Sequence, residues 1–210
     1  MGENPFSSVR GSRLVRNEGE TPALSSEEVQ QLFARIDEED TIVALRDGAL
    51  IGAMLYTFGR VGAVVAMRVK DYAPASAGKK MLHLREKGGK RHRVPAHHKL
   101  RERMEEYLSA AGIEGEDEVP LFQSAGRSKE LTGRQLNRRR AWDMVKRRAR
   151  QAGIEKDISP HSMRRPGLPP SSKMGASWRR PSGSPLTPTR GPLGPMTGAT
   201  RESSRGRSNG

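Results

Sequence analysis

Residues 41–61, TIVALRDGALIGAMLYTFGRV, form a nearly unbroken apolar run that sets the centre of the fold. Ile42, Val43, Leu45, Leu50, Ile51, Met54 and Leu55 leave almost no polar face between Thr41 and about Thr57. A helix that is apolar all round is a buried one. Phe58-Gly59-Arg60 breaks it, and a shorter helical stretch runs on to about Met67. Arg60 thus stands at the end of a buried helix, where a charge is costly unless it meets an anion. The ordinary alternative is an arginine whose stem lies on apolar surface while its head reaches water.

On the N-terminal side, Ser25-Ser26-Glu27-Glu28 has the pattern of a capping box. Val29, Leu32, Phe33 and Ile36 then share one helical face. On the C-terminal side the period changes. Lys80-Met81-Leu82-His83-Leu84 and Arg91-His92-Arg93-Val94-Pro95 flank Lys87-Gly88-Gly89-Lys90, which predicts a β-hairpin with a glycine turn. Leu100, Met104, Tyr107, Leu108 and Ala111 predict an amphipathic helix that stops at Gly112. A long basic helix is expected over Thr132–Gln151, with Leu136, Ala141, Val145 and Ala149 as its stripe. The fold class is therefore mainly α with a small antiparallel β-hairpin sheet.

The composition narrows the function. The 210 residues carry 38 basic and 24 acidic side chains, a net charge of +14, and no cysteine. Disulfides, cysteine-based zinc sites and thiol nucleophiles are excluded. No apolar run approaches the roughly 18–20 residues of a membrane span, and Met1–Val9 lacks the apolar core of a signal peptide. A cytoplasmic protein is expected. So large a positive excess makes a polyanion, first of all nucleic acid, the expected partner.

The charge is unevenly spread. Residues 165–210 hold eight Gly, eight Pro, eight Ser and eight basic residues against the single acid Glu202. Such a segment buries too little apolar surface to offset its ordering entropy, so a disordered tail is expected. Residues 1–24, with Asn4-Pro5, Gly11, Gly19 and Thr21-Pro22, read as an extended linker. One domain, residues 25–164, lies between them.

Two further positions join Arg60. Lys87 sits at the glycine turn, where an ammonium can reach a phosphate. His161-Ser162-Met163-Arg164 follows Ser159-Pro160, a helix-start signal, and its His and Arg share a helix face. Each alone reads as ordinary surface charge.

Together, and in this order, they resemble the catalytic domain of the tyrosine recombinases, the phage integrase family. The matching text is Arg46-Asp47-Gly48-Ala49-Leu50, Tyr56-Thr57-Phe58-Gly59-Arg60-Val61, Glu86-Lys87-Gly88-Gly89-Lys90-Arg91-His92-Arg93-Val94-Pro95 and Pro160-His161-Ser162-Met163-Arg164. Leu121-Phe122 and Leu131-Thr132-Gly133-Arg134 also fit, and the likeness covers about Asn4–Arg164.

The resemblance implies phosphoryl transfer on double-stranded DNA with no metal or other cofactor. A tyrosine attacks a phosphodiester, leaving a 3′-phosphotyrosyl link and a free 5′-hydroxyl. Charge gathers on nonbridging oxygens, which preorganised cations stabilise. Arg60 and Arg164 match the two arginines, whose planar forks suit phosphate. His161 matches the histidine that assists proton transfer. Lys87 matches the lysine that protonates the leaving oxygen. Lys90, Arg91 and Arg93 on the hairpin, and Arg138, Arg139 and Arg140 on the long helix, are expected to bind DNA backbone.

The sequence departs from the family in three ways. Ala63 stands where many members carry an acid. The core-binding domain that completes the family's DNA clamp is expected to be absent. Tyr56, Tyr72 and Tyr107 all precede His161, whereas the family's nucleophile follows His-x-x-Arg. Instead Arg165-Pro166-Gly167-Leu168-Pro169-Pro170 forbids a continuing helix. Read one base earlier, permitted codons for 164–175 give Ala-Thr-Gly-Leu-Thr-Thr-Phe and Leu-Lys-Asn-Gly. Leu186-Thr187 then permits a His codon, and Pro195-Met196-Thr197 permits Tyr-Asp. The expectation is a catalytic domain incomplete at its C-terminus, frameshifted after Arg164, that binds DNA without cleaving it. It should be a monomer off DNA, and a multimer on DNA only if the missing region is supplied. The alternative is a noncatalytic regulatory protein that occupies recombination sites. An RNA-binding role is less favoured, because three Tyr, four Phe and two Trp make a poor stacking platform.

Overall fold

The computed structural model describes residues 23–75, 78–158 and 162–164, with Lys87 and Arg164 described by their backbone alone. The linker up to residue 22, His161 and the 165–210 tail lie outside these residues.

Helix α1 (Ser26–Asp37) starts as the capping box dictates. Ser25 Oγ accepts the Glu28 N–H at 3.2 Å, and Glu28 Oε2 accepts the Ser25 N–H at 2.7 Å. Its buried face is Val29, Leu32, Phe33 and Ile36, and Leu24, at the end of the expected linker, is already part of the core. Helix α2 (Ile42–Thr57) is capped by Thr41 and is buried along nearly its whole length. It packs against α1 and most extensively against α4 (His98–Ala111), which turns Leu100, Met104, Tyr107 and Leu108 inward and ends at Gly112.

At the end of α2 the chain reverses sharply. Phe58 takes a left-handed conformation (φ 51°), and Gly59 follows it into a confined space. A Cβ at Gly59 would lie 2.6 Å from a Leu84 methyl, 2.8 Å from Thr57 Oγ1 and 2.9 Å from a Val64 methyl. Only glycine fits there, and the reversal delivers Arg60 to the start of the short helix α3 (Val61–Val65).

Three antiparallel strands follow, in the order β1-β2-β3: β1 (Tyr72–Pro74), β2 (Lys80–Arg85) and β3 (Arg91–Pro95). The β2–β3 hairpin is the one expected, and its register pairs Leu82 with Val94 and Leu84 with His92. Leu82 and Leu84 point into the core. Strand β1, too short to show a period in the sequence, adds Tyr72 opposite Leu82.

The region expected to be one helix from Thr132 is different. Leu131–Gln135 is strand β5, paired with β4 (Gln123–Ala125), and helix α5 spans only Arg138–Gln151. Gly133 adopts φ +71°, and its N–H is accepted by Gln123 Oε1 at 2.9 Å. Asn137 then caps α5, its Oδ1 accepting the Arg139 N–H at 2.8 Å. A left-handed glycine and an Asn cap outweigh the helical spacing of Leu136 and Ala141, so the described residues form two small sheets rather than one hairpin.

The core also holds charge. Asp47 is fully buried on α2 and Arg148 nearly so on α5. Arg148 Nε donates to Asp47 Oδ2 at 2.9 Å and Arg148 NH1 to Glu39 Oε1 at 2.6 Å. Arg46 donates through Nε to Asp47 Oδ1 at 3.1 Å and through NH1 to the Gln123 carbonyl at 2.8 Å. One carboxylate thereby joins α2, α5 and the β4–β5 ribbon. Arg103 closes the other side of α2, with a two-pronged contact to Asp37 at 2.7 and 2.8 Å. Among the described residues, no helix is long and apolar enough to cross a membrane.

Candidate functional site

Arg60 is the N-cap of α3, in an extended conformation (φ −64°, ψ 139°) with no side-chain cap bond. Its side chain is 55% exposed, and its guanidinium pairs with Glu86, whose side chain is 13% exposed. Glu86 immediately precedes the 3-10 turn Lys87–Gly89, in which Gly88 and Gly89 take φ +81° and +75°. The structure therefore brings Arg60 to the base of the turn that carries Lys87. The Lys87 side chain lies outside the described residues.

The backbone of Arg164 lies at the end of a 3-10 turn, Ser162–Arg164, which packs on α2. Ser162 and Met163 are buried there, so α2 supports both the Arg60 reversal and the Arg164 turn. The Arg164 side chain and the whole of His161 lie outside the described residues.

The expected DNA-backbone residues are exposed in two places. Lys90, Arg91 and Arg93 lie on the hairpin, and Arg138, Arg139 and Arg140 fill the first turn of α5. Cations at a helix N-terminus oppose the helix dipole. Arg138 also approaches the Arg60 end of α3: a Cβ on Gly62 would lie 3.3 Å from its Cδ, so its stem runs over α3 two residues past Arg60.

The tyrosines are placed differently. Tyr56 stacks on His97, with centroids 4.5 Å apart, and burial pushes its hydroxyl pKa up to about 12. Tyr72 sits under the sheet and Tyr107 against Phe122, and burial raises both hydroxyls well above the usual tyrosine range. The Tyr56 and Tyr72 hydroxyls are buried and meet no hydrogen-bond partner among the described residues.

Sequence reasoning missed Glu86 as the partner of Arg60 and missed the buried role of Arg148. For Arg46 and Asp47 a signal existed: two adjacent charges within an otherwise apolar helix. Among the described residues, no group of three His, Asp or Glu side chains could hold a metal.

The phage integrase family model matches residues 22–167. The chain is 33% identical over 147 residues to the tyrosine recombinase XerD of Corynebacterium glutamicum, covering 67% of this chain and 45% of the relative. It is 28% identical over 163 residues to XerD of Shewanella oneidensis, covering 77% and 51%. The chain thus spans about half the length of the curated relatives it matches. In fold it is similar to the XerH site-specific recombinase bound to palindromic difH substrate (TM-score 0.58, 19% identity, 76% of this chain and 44% of that one). It is also similar to XerA recombinase (TM-score 0.53, 20% identity, 68% and 47%). The helix-rich architecture with small antiparallel sheets is thus that of a recombinase catalytic domain, and the chain belongs to the phage integrase family.

Proposed function

We propose that this chain is a duplex-DNA-binding recombinase domain that grips a phosphodiester without cleaving it. The observation that carries the reading is the placement of Arg60, a half-exposed guanidinium at a helix start beside the Lys87 turn. A planar fork held there suits a phosphate's nonbridging oxygens. Arg60 and Arg164 would clamp those oxygens, His161 would contact the phosphate, and Lys87 would face its bridging 5′-oxygen. Lys90, Arg91 and Arg93, with Arg138, Arg139 and Arg140, would hold the flanking backbone. The XerH site-specific recombinase of the same fold, bound to its palindromic difH substrate, supports this choice of partner.

The burial of all three tyrosyl hydroxyls supports binding without cleavage. A nucleophile must reach the phosphorus and be deprotonated on the way, and burial opposes both. The same observation favours the regulatory reading, in which the domain occupies recombination sites. The test is fluorescence anisotropy of a labelled duplex titrated with the 210-residue chain at several salt concentrations. The reading expects affinity that falls steeply with salt and a further loss in Arg60→Gln. Equal affinity for Arg60→Gln at every salt would remove Arg60 from the site, and no binding at low salt would end the reading.

A further inference from the structure

The outward face of the β2–β3 hairpin carries an arrangement larger than the Arg91 and Arg93 contacts proposed for the flanking backbone. Leu82 and Leu84 point into the core, so alternation turns His83 and Arg85 outward. The register places Arg93 directly opposite His83, and Arg91 directly opposite Arg85. Directly opposed residues have Cβ atoms about 5 Å apart, and same-face neighbours along a strand lie about 7 Å apart. Three arginines and a histidine thus form one small rectangle. Like charges facing each other across a ladder are destabilising.

Among the described residues, none of Arg85, Arg91 and Arg93 makes an ion pair with a carboxylate. Glu86, the nearest acid in sequence, faces the other way. Its N–H bonds to the Lys90 carbonyl at 2.8 Å, which continues the ladder, and its carboxylate holds Arg60 on the inner side. Charges on an edge strand also guard against strand-to-strand aggregation. That role is met by either sign, however, and opposed acid–base pairs would meet it without repulsion. It accounts for neither Arg85 on β2 nor the uniform sign.

We propose that this outer face, formed by His83, Arg85, Arg91 and Arg93, is a second phosphodiester-binding surface on the opposite side of the hairpin from Arg60. It rests on the reading of the domain as a DNA binder and adds His83 and Arg85 to the contact set. Two successive phosphates of one DNA strand supply the anions that the rectangle lacks. Because phosphate contacts carry no base information, the surface strengthens binding to every sequence alike.

The test compares the full chain with Arg85→Gln, which leaves Lys90, Arg91 and Arg93 in place, and with Arg35→Gln, which removes the same charge from α1. Anisotropy on one labelled duplex is recorded from low to moderate salt, and a thermal melt is taken without DNA. The outer-face variant is expected to bind about fivefold more weakly and to lower the log K against log salt slope by about 0.9, the value of one lost contact. The control should change neither by as much. Without DNA, the outer-face variant should melt at the same or a higher temperature, since a repulsion has been removed. If the parent binds DNA and both variants match it, the outer-face proposal fails while the domain reading stands. A lower melting temperature for the outer-face variant would assign Arg85 a structural role and overturn the proposal. If the parent shows no salt-dependent binding, the domain reading itself fails and takes the outer face with it.

Discussion

Asp47 accepts the Arg148 Nε–H at 2.9 Å in the interior of the domain, joining α2 to α5 through residues 101 apart in the chain. Arg46 donates to the other oxygen of the same carboxylate. One anion is thus shared by two buried guanidinium groups, and its removal would leave Arg46 without this partner and Arg148 with Glu39 alone. Breaking a buried pair by deleting one partner typically costs about 3–5 kcal/mol. Asp47→Ala should therefore lose that much stability, and urea unfolding at neutral pH measures it. A loss under 1 kcal/mol would mean that water or other groups take over from Asp47.

The rim of this network gives a pH dependence. The hydrogen bond from Arg148 holds the Glu39 carboxyl below its ordinary value of 4.5. Burial opposes the Arg148 charge, but the Glu39 and Asp47 carboxylates outweigh it and raise the guanidinium's pKa. A depressed carboxylate contributes stability that is fully present above its unfolded pKa and lost as pH falls through the folded one. The parent should therefore be more stable than Glu39→Gln at pH 7, and the difference should shrink as pH drops below 4.5. Melting temperatures of both proteins between pH 7 and pH 3 check this. A constant difference would show that the Glu39 charge contributes nothing.

Gly59 sets the position of Arg60 through space rather than charge. Its missing Cβ leaves room for Leu84, Thr57 and Val64, all of which would be closer than 3.0 Å. Gly59→Ala should cost about 1–3 kcal/mol through overpacking. It should also weaken DNA binding, because α3 and its N-terminal Arg60 must shift. Unchanged stability in a denaturant titration would show that the reversal relaxes freely.

The cap of α5 is a smaller and more local case. Asn137→Ala removes the acceptor for the Arg139 N–H and should cost about 1 kcal/mol. The loss should appear as a lower melting temperature, and Asn137→Asp should recover it. If Asn137→Ala melts as the parent does, the turn is held by the β4–β5 ribbon instead.

Much of this architecture is legible in the sequence because local chemistry specifies it. Ser25 and Glu28 form the box that begins α1, and an apolar run is buried as α2. Lys87-Gly88-Gly89-Lys90 turns the hairpin. Strand β5 is not legible in the same way: Thr132, Gly133, Arg134 and Gln135 are exposed, so no two-residue period marks it. Asn137 was an available stop signal within the expected helix. Arg148 lies in a run with Arg147 and Arg150, and only a partner 101 residues away selects it for burial. The candidate site divides similarly. The break that exposes Arg60 can be read directly, whereas its pairing with Glu86 follows from hairpin register, which places Glu86 on the inner side. Likewise, the outward rectangle of His83, Arg85, Arg91 and Arg93 exists only once Arg85 is set opposite Arg91.

The central claim is that the domain holds duplex DNA while none of its tyrosines attacks it. The direct measurement uses a nicked suicide duplex, on which a cleaved strand cannot be rejoined, incubated with the full chain. Each reaction is then split between a native gel and a denaturing one. The account predicts a salt-sensitive shift on the native gel and no SDS-resistant protein–DNA band. A covalent band whose peptide maps to Tyr56, Tyr72 or Tyr107 would contradict it.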